Sequence, residues 1–175
     1  SLMASRQRGA SLDVTTGTEA SRAVARTSEK MVFNGVSLTQ KSYPIYGLTT
    51  FPSRATATIS DWANAGTTTA TILSEIFAMV KELETNQRSF GPYTLYIPSA
   101  YLSRFREDFK ANSDKTLMTR VLGEASIVAI RASDVLATGN VVLVQMTNDV
   151  LDLAIASDLT TVQWQSGSGW TNNFQ

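Results

Sequence analysis

Residues 90–109, FGPYTLYIPSAYLSRFREDF, constrain the fold more than any other stretch. Gly91-Pro92 is a turn signal that closes whatever precedes it. Tyr93, Thr94, Leu95, Tyr96 and Ile97 form a β-branched and aromatic run, which predicts a short strand buried on both faces. Pro98 has no N–H to give to a ladder and ends the run, and Ser99 stands where an N-cap is needed. Leu102, Phe105 and Phe109 then share one face of a predicted helix, with Arg104, Glu107 and Asp108 off it. Strand, stop and amphipathic helix in such short order are a core unit of an α+β domain.

Two longer helices are expected before this unit. Thr16 and Glu19 make a capping-box pair, and the helix they open runs to about Phe33. Its stripe of Ala20, Val24, Ser28 and Met31 is light in bulk, suited to lying close against a sheet. Asn34-Gly35 is the stop, since both residues tolerate left-handed backbone angles. Thr67, Thr68 and Thr69 cap the second helix, which reaches Asn86. Ile72, Ile76, Met79 and Leu83 recur at helical spacing with Leu73, Phe77 and Val80 beside them, leaving Glu75, Lys81, Glu82 and Glu84 outside. Such a stripe reads as core.

Elsewhere the signals are shorter. Residues 54–60 alternate Ala55, Ala57 and Ile59 with Thr56 and Thr58, an edge-strand pattern. Asn64-Ala65-Gly66 marks a boundary between subdomains. Residues 116–122 read as a short helix with Leu117, Val121 and Leu122 inward, ended by Gly123. Residues 126–130 read as a strand, and 141–146 and 150–156 as two strands of a hairpin turned at Thr147-Asn148-Asp149. Residues 160–165 alternate with Val162 and Trp164 on one face. Residues 1–14 read as an extended arm, with Ser1-Leu2 ahead of Met3 as an appended remnant.

The totals exclude more than they assign. The 175 residues are 43% hydrophobic, enough for a core, and carry 15 basic and 15 acidic side chains for a formal charge of zero. A strong electrostatic footprint for nucleic acid is not expected from that balance. There is no cysteine and no histidine. Thiol nucleophiles, disulfide frameworks, His-dependent triads and His–metal sites are therefore outside this chain's chemistry. No apolar run approaches the ~20 residues that a membrane-spanning helix needs, so no membrane segment is expected.

The remaining chemistry is that of carboxylates. Asp149, Asp152 and Asp158 cluster near the expected hairpin and are candidates for a cation site or an acid–base pair. They lack the calcium-loop pattern, and a spacing of three would point Asp149 and Asp152 to opposite faces of one strand. Gly167-Ser168-Gly169 lacks the spacing of a phosphate loop and reads as a flexible turn. Arg104, Arg106 and Lys110 are interleaved with Glu107 and Asp108, the pattern of a solvated or subunit-facing surface. Trp62, Trp170, Tyr43 and Tyr46 lie in loop-like segments, where an aromatic either plugs its own core or anchors a partner.

Three stretches together resemble the shell proteins of tailed phages and of encapsulins, the family of the Hong Kong phage capsid fold. The first is Ser28-Glu29-Lys30-Met31-Val32-Phe33-Asn34-Gly35 followed by Tyr46-Gly47-Leu48-Thr49, which resembles the end of that family's spine helix and the F-x-G … G-L segment after it. The second is Phe90-Gly91-Pro92-Tyr93-Thr94-Leu95-Tyr96-Ile97-Pro98, similar to the strand that leads into the axial domain's central sheet. The third, residues 140–165, resembles the return from axial to peripheral domain. The resemblance implies an extended-loop remnant at 1–14, a peripheral domain with its spine helix at 15–60, an axial domain at 61–155 and a return to the peripheral domain at 156–175. Little precedes the spine helix and the chain stops early against the family pattern, so a shortened form of a longer subunit is expected.

The function implied is structural. Copies would pack as pentamers and hexamers of an icosahedral container, a phage or prophage major capsid subunit, in the virion or in the bacterial cytoplasm. Packaged DNA or protein cargo would be the other partner, and an encapsulin-type compartment is the alternative. No catalytic, cofactor or metal residue is assigned on this reading. The candidates for contacts between subunits are Arg6, Arg8, Tyr43, Trp62 and Trp170. Competing readings from other classes are a small carboxylate-dependent enzyme using Asp149 and Asp152, and a monomeric peptide-binding module that offers residues 54–60 as an edge strand.

Overall fold

In a computed structural model, the described residues are 12–36, 44–123, 126–153, 163–165 and 172–174. They combine helices with a small mixed sheet, so the fold is α+β. Two compact units are present, one from Ser28–Leu151 and one drawn from Ser1–Thr27 and Asp152–Gln175.

The larger unit is built around β1, Tyr93–Pro98. It is the middle strand of three, parallel to β2 (Ile127–Ser133) and antiparallel to β3 (Val142–Gln145). Leu95 is opposite Ile130 on one side and Leu143 on the other. A strand paired along both edges and covered on both faces has no place for exposed polar groups, and Tyr93, Leu95 and Ile97 are wholly buried. The Gly91-Pro92 bond before it is cis, with Gly91 at φ +83°. The expectation of a doubly buried strand holds.

The helix that packs against this sheet is Thr69–Asn86. Its N-cap is Thr68, whose Oγ1 accepts from the Thr71 N–H at 3.1 Å, satisfying one of the donors that every helix start leaves open. Ile72, Leu73, Ile76 and Val80 are buried, with Phe77, Met79 and Leu83 half-buried against the same core. The 23-residue helix α1, Leu12–Asn34, precedes it in the chain and the Thr69–Asn86 helix is α2.

The crossover between the parallel strands departs from expectation. Pro98, not Ser99, occupies the cap position, and no side chain bonds there. A 3-10 turn, Ser99–Tyr101, leads into α3, which is only Leu102–Phe105. The longer helix is cut short because the chain pairs with itself: Phe109 N–H donates to Lys115 O at 2.9 Å and Leu117 N–H to Glu107 O at 2.9 Å. Those backbone groups are then lost to any continued helix. Phe105 is buried and Leu102 and Phe109 are half-buried, so the apolar face exists without the regular helix. Helix α4, Leu117–Leu122, follows, capped by Thr116 and closed by Gly123. Leu117 and Val121 point inward, but Leu122 is exposed.

Three further expectations are corrected. Helix α1 begins at Leu12 rather than at Thr16, and Glu19 pairs with Arg22 at 2.7 Å instead of capping. Residues 54–60 form no strand. Residues 150–153 form none either, because Thr147 O takes the N–H groups of both Val150 and Leu151 (3.0 and 2.9 Å), which winds the chain instead of reversing it. In the smaller unit, β4 (Gln163–Gln165) and β5 (Asn172–Phe174) form an antiparallel pair with Trp164 opposite Asn173. Gly167-Ser168-Gly169, Asp158 and residues 154–156 lie outside the described residues.

Candidate functional site

Two local constructions and one exposed rim carry most of the specific chemistry. The first sits at the C-terminal end of α1. Gly35, at φ +68°, turns the chain out of the helix and donates its N–H to Met31 O at 2.8 Å. The returning chain then takes the helix's last carbonyls. Leu48 N–H donates to Val32 O at 2.9 Å, and Thr49 gives both its N–H (2.8 Å) and its Oγ1–H (2.7 Å) to Phe33 O. Val36 and Ile45 exchange two bonds of 2.8 Å above it. The approach is so close that a Cβ on Gly47 would lie 2.4 Å from Gly35 N, and one on Gly35 would lie 2.2 Å from Ile45 O. Both glycines are required because backbone meets backbone with no room for a side chain. The two halves of the Phe33-x-Gly35 … Gly47-Leu48 segment are therefore one clasp. Phe33 itself is buried and packs edge-on against Tyr96 of β1, ring centroids 5.2 Å apart.

Around this clasp the surface is apolar. Ile45, Tyr46 and Phe51 are about half exposed, with the Tyr46 and Phe51 rings in edge contact at 6.2 Å. The last turns of α1 add Met31 and Val32 to the exposed apolar residues.

The second construction is centred on Trp62. Its side chain is 0% exposed and packs between Tyr101 and Phe105, at centroid distances of 5.7 and 5.8 Å. Named from the sequence as a subunit-contact candidate, Trp62 plugs its own core instead, because a buried indole fills the space between α2 and the crossover. Its Nε1–H donates to Glu75 Oε2 at 2.5 Å, and Glu75 Oε1 also accepts from Ser60 N–H (3.1 Å) and Ser60 Oγ–H (2.7 Å). Partial burial pushes the Glu75 carboxyl up, but the bonds from Trp62 and Ser60 outweigh it and hold the carboxyl below the ordinary carboxylate range. From the other side Arg104 Nε–H donates to Trp62 O at 3.2 Å, its Nη2 donates to Thr67 O, and Nη1 pairs with Glu107 at 2.5 Å. Burial raises the Tyr101 phenol, whose oxygen accepts the Gly139 N–H at 2.8 Å.

Sequence reasoning placed Glu75 on a solvent face and Arg104 on a basic surface. Both are half-buried and hold Trp62. The available signal was that Glu75 borders the apolar stripe of α2, one residue from Ile76; its partners lie fifteen and thirteen positions away in a coil and left no periodic mark.

The other candidates are not brought together. Asp149 and Asp152 are each exposed, and among the described residues no group of three or more acidic side chains is placed to hold a metal ion. Arg6, Arg8, Tyr43 and Trp170 lie outside the described residues. A shallow cavity of about 230 Å³ is lined by Phe77, Val80, Lys81, Glu84, Ser126 and Ile127. It joins an apolar floor to one cation and one anion and contains no paired nucleophile and base. No helix among the described residues is long and apolar enough to cross a membrane.

No curated protein matches the chain. A family model matches residues 1–166, most of the sequence. The chain therefore belongs to that family, a family of unknown function (DUF6260).

Proposed function

We propose that this chain is a structural subunit that assembles with copies of itself into a closed shell of the tailed-phage capsid type. One observation carries the reading: of the side chains described along α1, those from Gly17 to Val32 are exposed with the single exception of Glu29, which is half-buried. A helical stretch of this length that buries so little draws little stability from packing, and a helix in water depends mostly on that packing. Cover from a neighbouring copy would supply it, at Val24, Met31 and Val32 and at the apolar rim of the clasp. The clasp between Phe33-x-Gly35 and Gly47-Leu48 also supports the reading, since the two segments that resemble the family's spine-helix exit act as one construction. Self-complementary and head-to-tail surfaces that close into rings are what such assembly requires, and no reacting group is needed.

Native mass spectrometry and negative-stain micrographs over a concentration series test this. Rings of five or six subunits, or closed shells, are expected. A single particle of 19.0 kDa at every concentration overturns it.

A further inference from the structure

Residues 54–61 run without a turn or a bend and belong to no strand. They nevertheless keep the alternation of a strand, Ala55, Ala57 and Ile59 against Thr56 and Thr58, with β-branched residues at three of those five places. From Ala55 to Ile59 the backbone N–H and C=O groups take no partner among the described residues. Both ends of the segment are pinned. Upstream, Arg54 N–H donates to Phe51 O at 3.3 Å and Phe51 N–H to Gly47 O at 2.9 Å, next to the clasp. Downstream, Ser60 and Trp62 are tied to Glu75. A segment already held in one course loses little further freedom on pairing.

The same unit offers a matching open edge. Strand β2 ends the sheet order β2-β1-β3, so among the described residues no strand pairs with its outer side. It spans seven residues, Ile127–Ser133, and its Val128 is 60% exposed. A bare edge with an exposed apolar residue is a template for another strand.

We propose that residues 54–60 add as an antiparallel strand to the outer edge of β2 in a second copy of this chain, an inference that rests on the self-assembly reading above. Charge selects the direction. Laid antiparallel and end to end, residues 54–61 against residues 127–134, Arg54 comes opposite Asp134, one residue past the end of β2, and Ala57 comes opposite Arg131. In the parallel alignment Asp61 meets Asp134, and like charges directly opposed are unfavourable. Because the donated segment and the receiving edge are different surfaces, the contact is head-to-tail, the kind that closes into a ring when the rotation permits.

Strand addition has a parity that other contacts lack, since alternate residues turn their N–H toward the partner. Two double variants test it, Thr56→Pro with Thr58→Pro, and Ala55→Pro with Ala57→Pro. None of these positions loses a backbone bond to a described residue, so both variants should melt with the wild type. Native mass spectrometry is expected to show assembly weakened at least about tenfold in one variant and nearly unchanged in the other, because proline removes a ladder donor only at one parity. Equal effects, or none, overturn the proposal while wild-type rings leave the self-assembly reading standing. A wild-type chain that never assembles overturns both. If a proline pair unfolds the subunit, amide hydrogen exchange of the wild type replaces it: protection rising at alternate residues between 55 and 59 on assembly supports the strand, and a flat profile overturns it.

Discussion

Helices α1 and α2 began as the same kind of pattern and ended in different surroundings. Both carry apolar residues at helical spacing. In α2 the positions at Ile72, Ile76 and Val80 are buried against the sheet, whereas in α1 Val24 is 41% and Met31 38% exposed. Bulk accounts for part of the contrast. The α2 stripe is Ile, Leu, Phe, Met and Val throughout, while the α1 stripe interposes Ala20 and Ser28. Removal of apolar area from water is what holds a helix to a core, at about 25 cal/mol per Å², and small residues have little area to offer. Periodicity thus reports which side of a helix is apolar but not what covers it. For α1 the cover proposed is another copy.

Substitutions can break or sharpen this contrast. The largest effect is expected on the α2 side: Trp62→Ala removes the plug between Tyr101 and Phe105 and should cost about 3–5 kcal/mol in urea denaturation. Loss of less than about 1 kcal/mol would mean that the Trp62 site can collapse and that the buried region is looser than its packing suggests. Next is Gly35→Ala, which combines a left-handed backbone with a 2.2 Å approach to Ile45 O. It should cost at least about 2 kcal/mol. Gly139 has φ +96° but open space around it, so Gly139→Ala should cost only about 1–2 kcal/mol of backbone strain. Equal costs at the two glycines would remove the clasp as the reason Gly35 is needed.

A smaller effect is expected at Glu75. Glu75→Gln keeps an oxygen acceptor but loses the charge that strengthens three hydrogen bonds, and should cost about 1–2 kcal/mol. The sign of its pH dependence follows from a carboxyl held low in the folded chain. Its contribution is fully present above the unfolded carboxylate pKa of about 4.3 and is lost as pH falls through the folded value. The gap in stability between wild type and Glu75→Gln should therefore close on acidification below about pH 4.3, measured by melting at each pH. A gap that widens in acid would reverse the assignment. The smallest effect on the single subunit is expected in α1, where Met31→Ser should change stability by no more than about 0.5 kcal/mol. Its effect should appear in assembly by native mass spectrometry. A destabilised monomer with unchanged assembly would place Met31 on the wrong side of the comparison.

How much was legible varies by element. The β1 strand, the Thr68 cap with α2, the short helix α4 with its Gly123 end and the Gly35 stop of α1 were readable because each depends on neighbours within a few positions. The second hairpin strand after Thr147 and the full helix after Ser99 were not, because competing backbone partners overruled each, and the alternation at residues 54–60 meets no strand to pair with among the described residues. Ser60 N–H went to Glu75, and Glu107 O went to Leu117. The candidate site divides in the same way. Phe33, Gly35, Gly47 and Leu48 could be singled out as two motif halves, but their meeting through Thr49 and Phe33 O is a long-range event.

Taken alone, the order of residues determined which chemistries this chain lacks, with neither histidine nor cysteine, and where its helices and central strand would nucleate. Those properties are local or compositional, so no folding is needed to read them. Only the tertiary structure decided that Trp62 is inside, that Glu75 and Arg104 are its holders, and that the backbone of residues 55–59 takes no partner among the described residues. A side chain's partners across fifteen or forty positions are chosen by the packing of the whole core, where one best-satisfied arrangement of buried polar groups wins over every local preference.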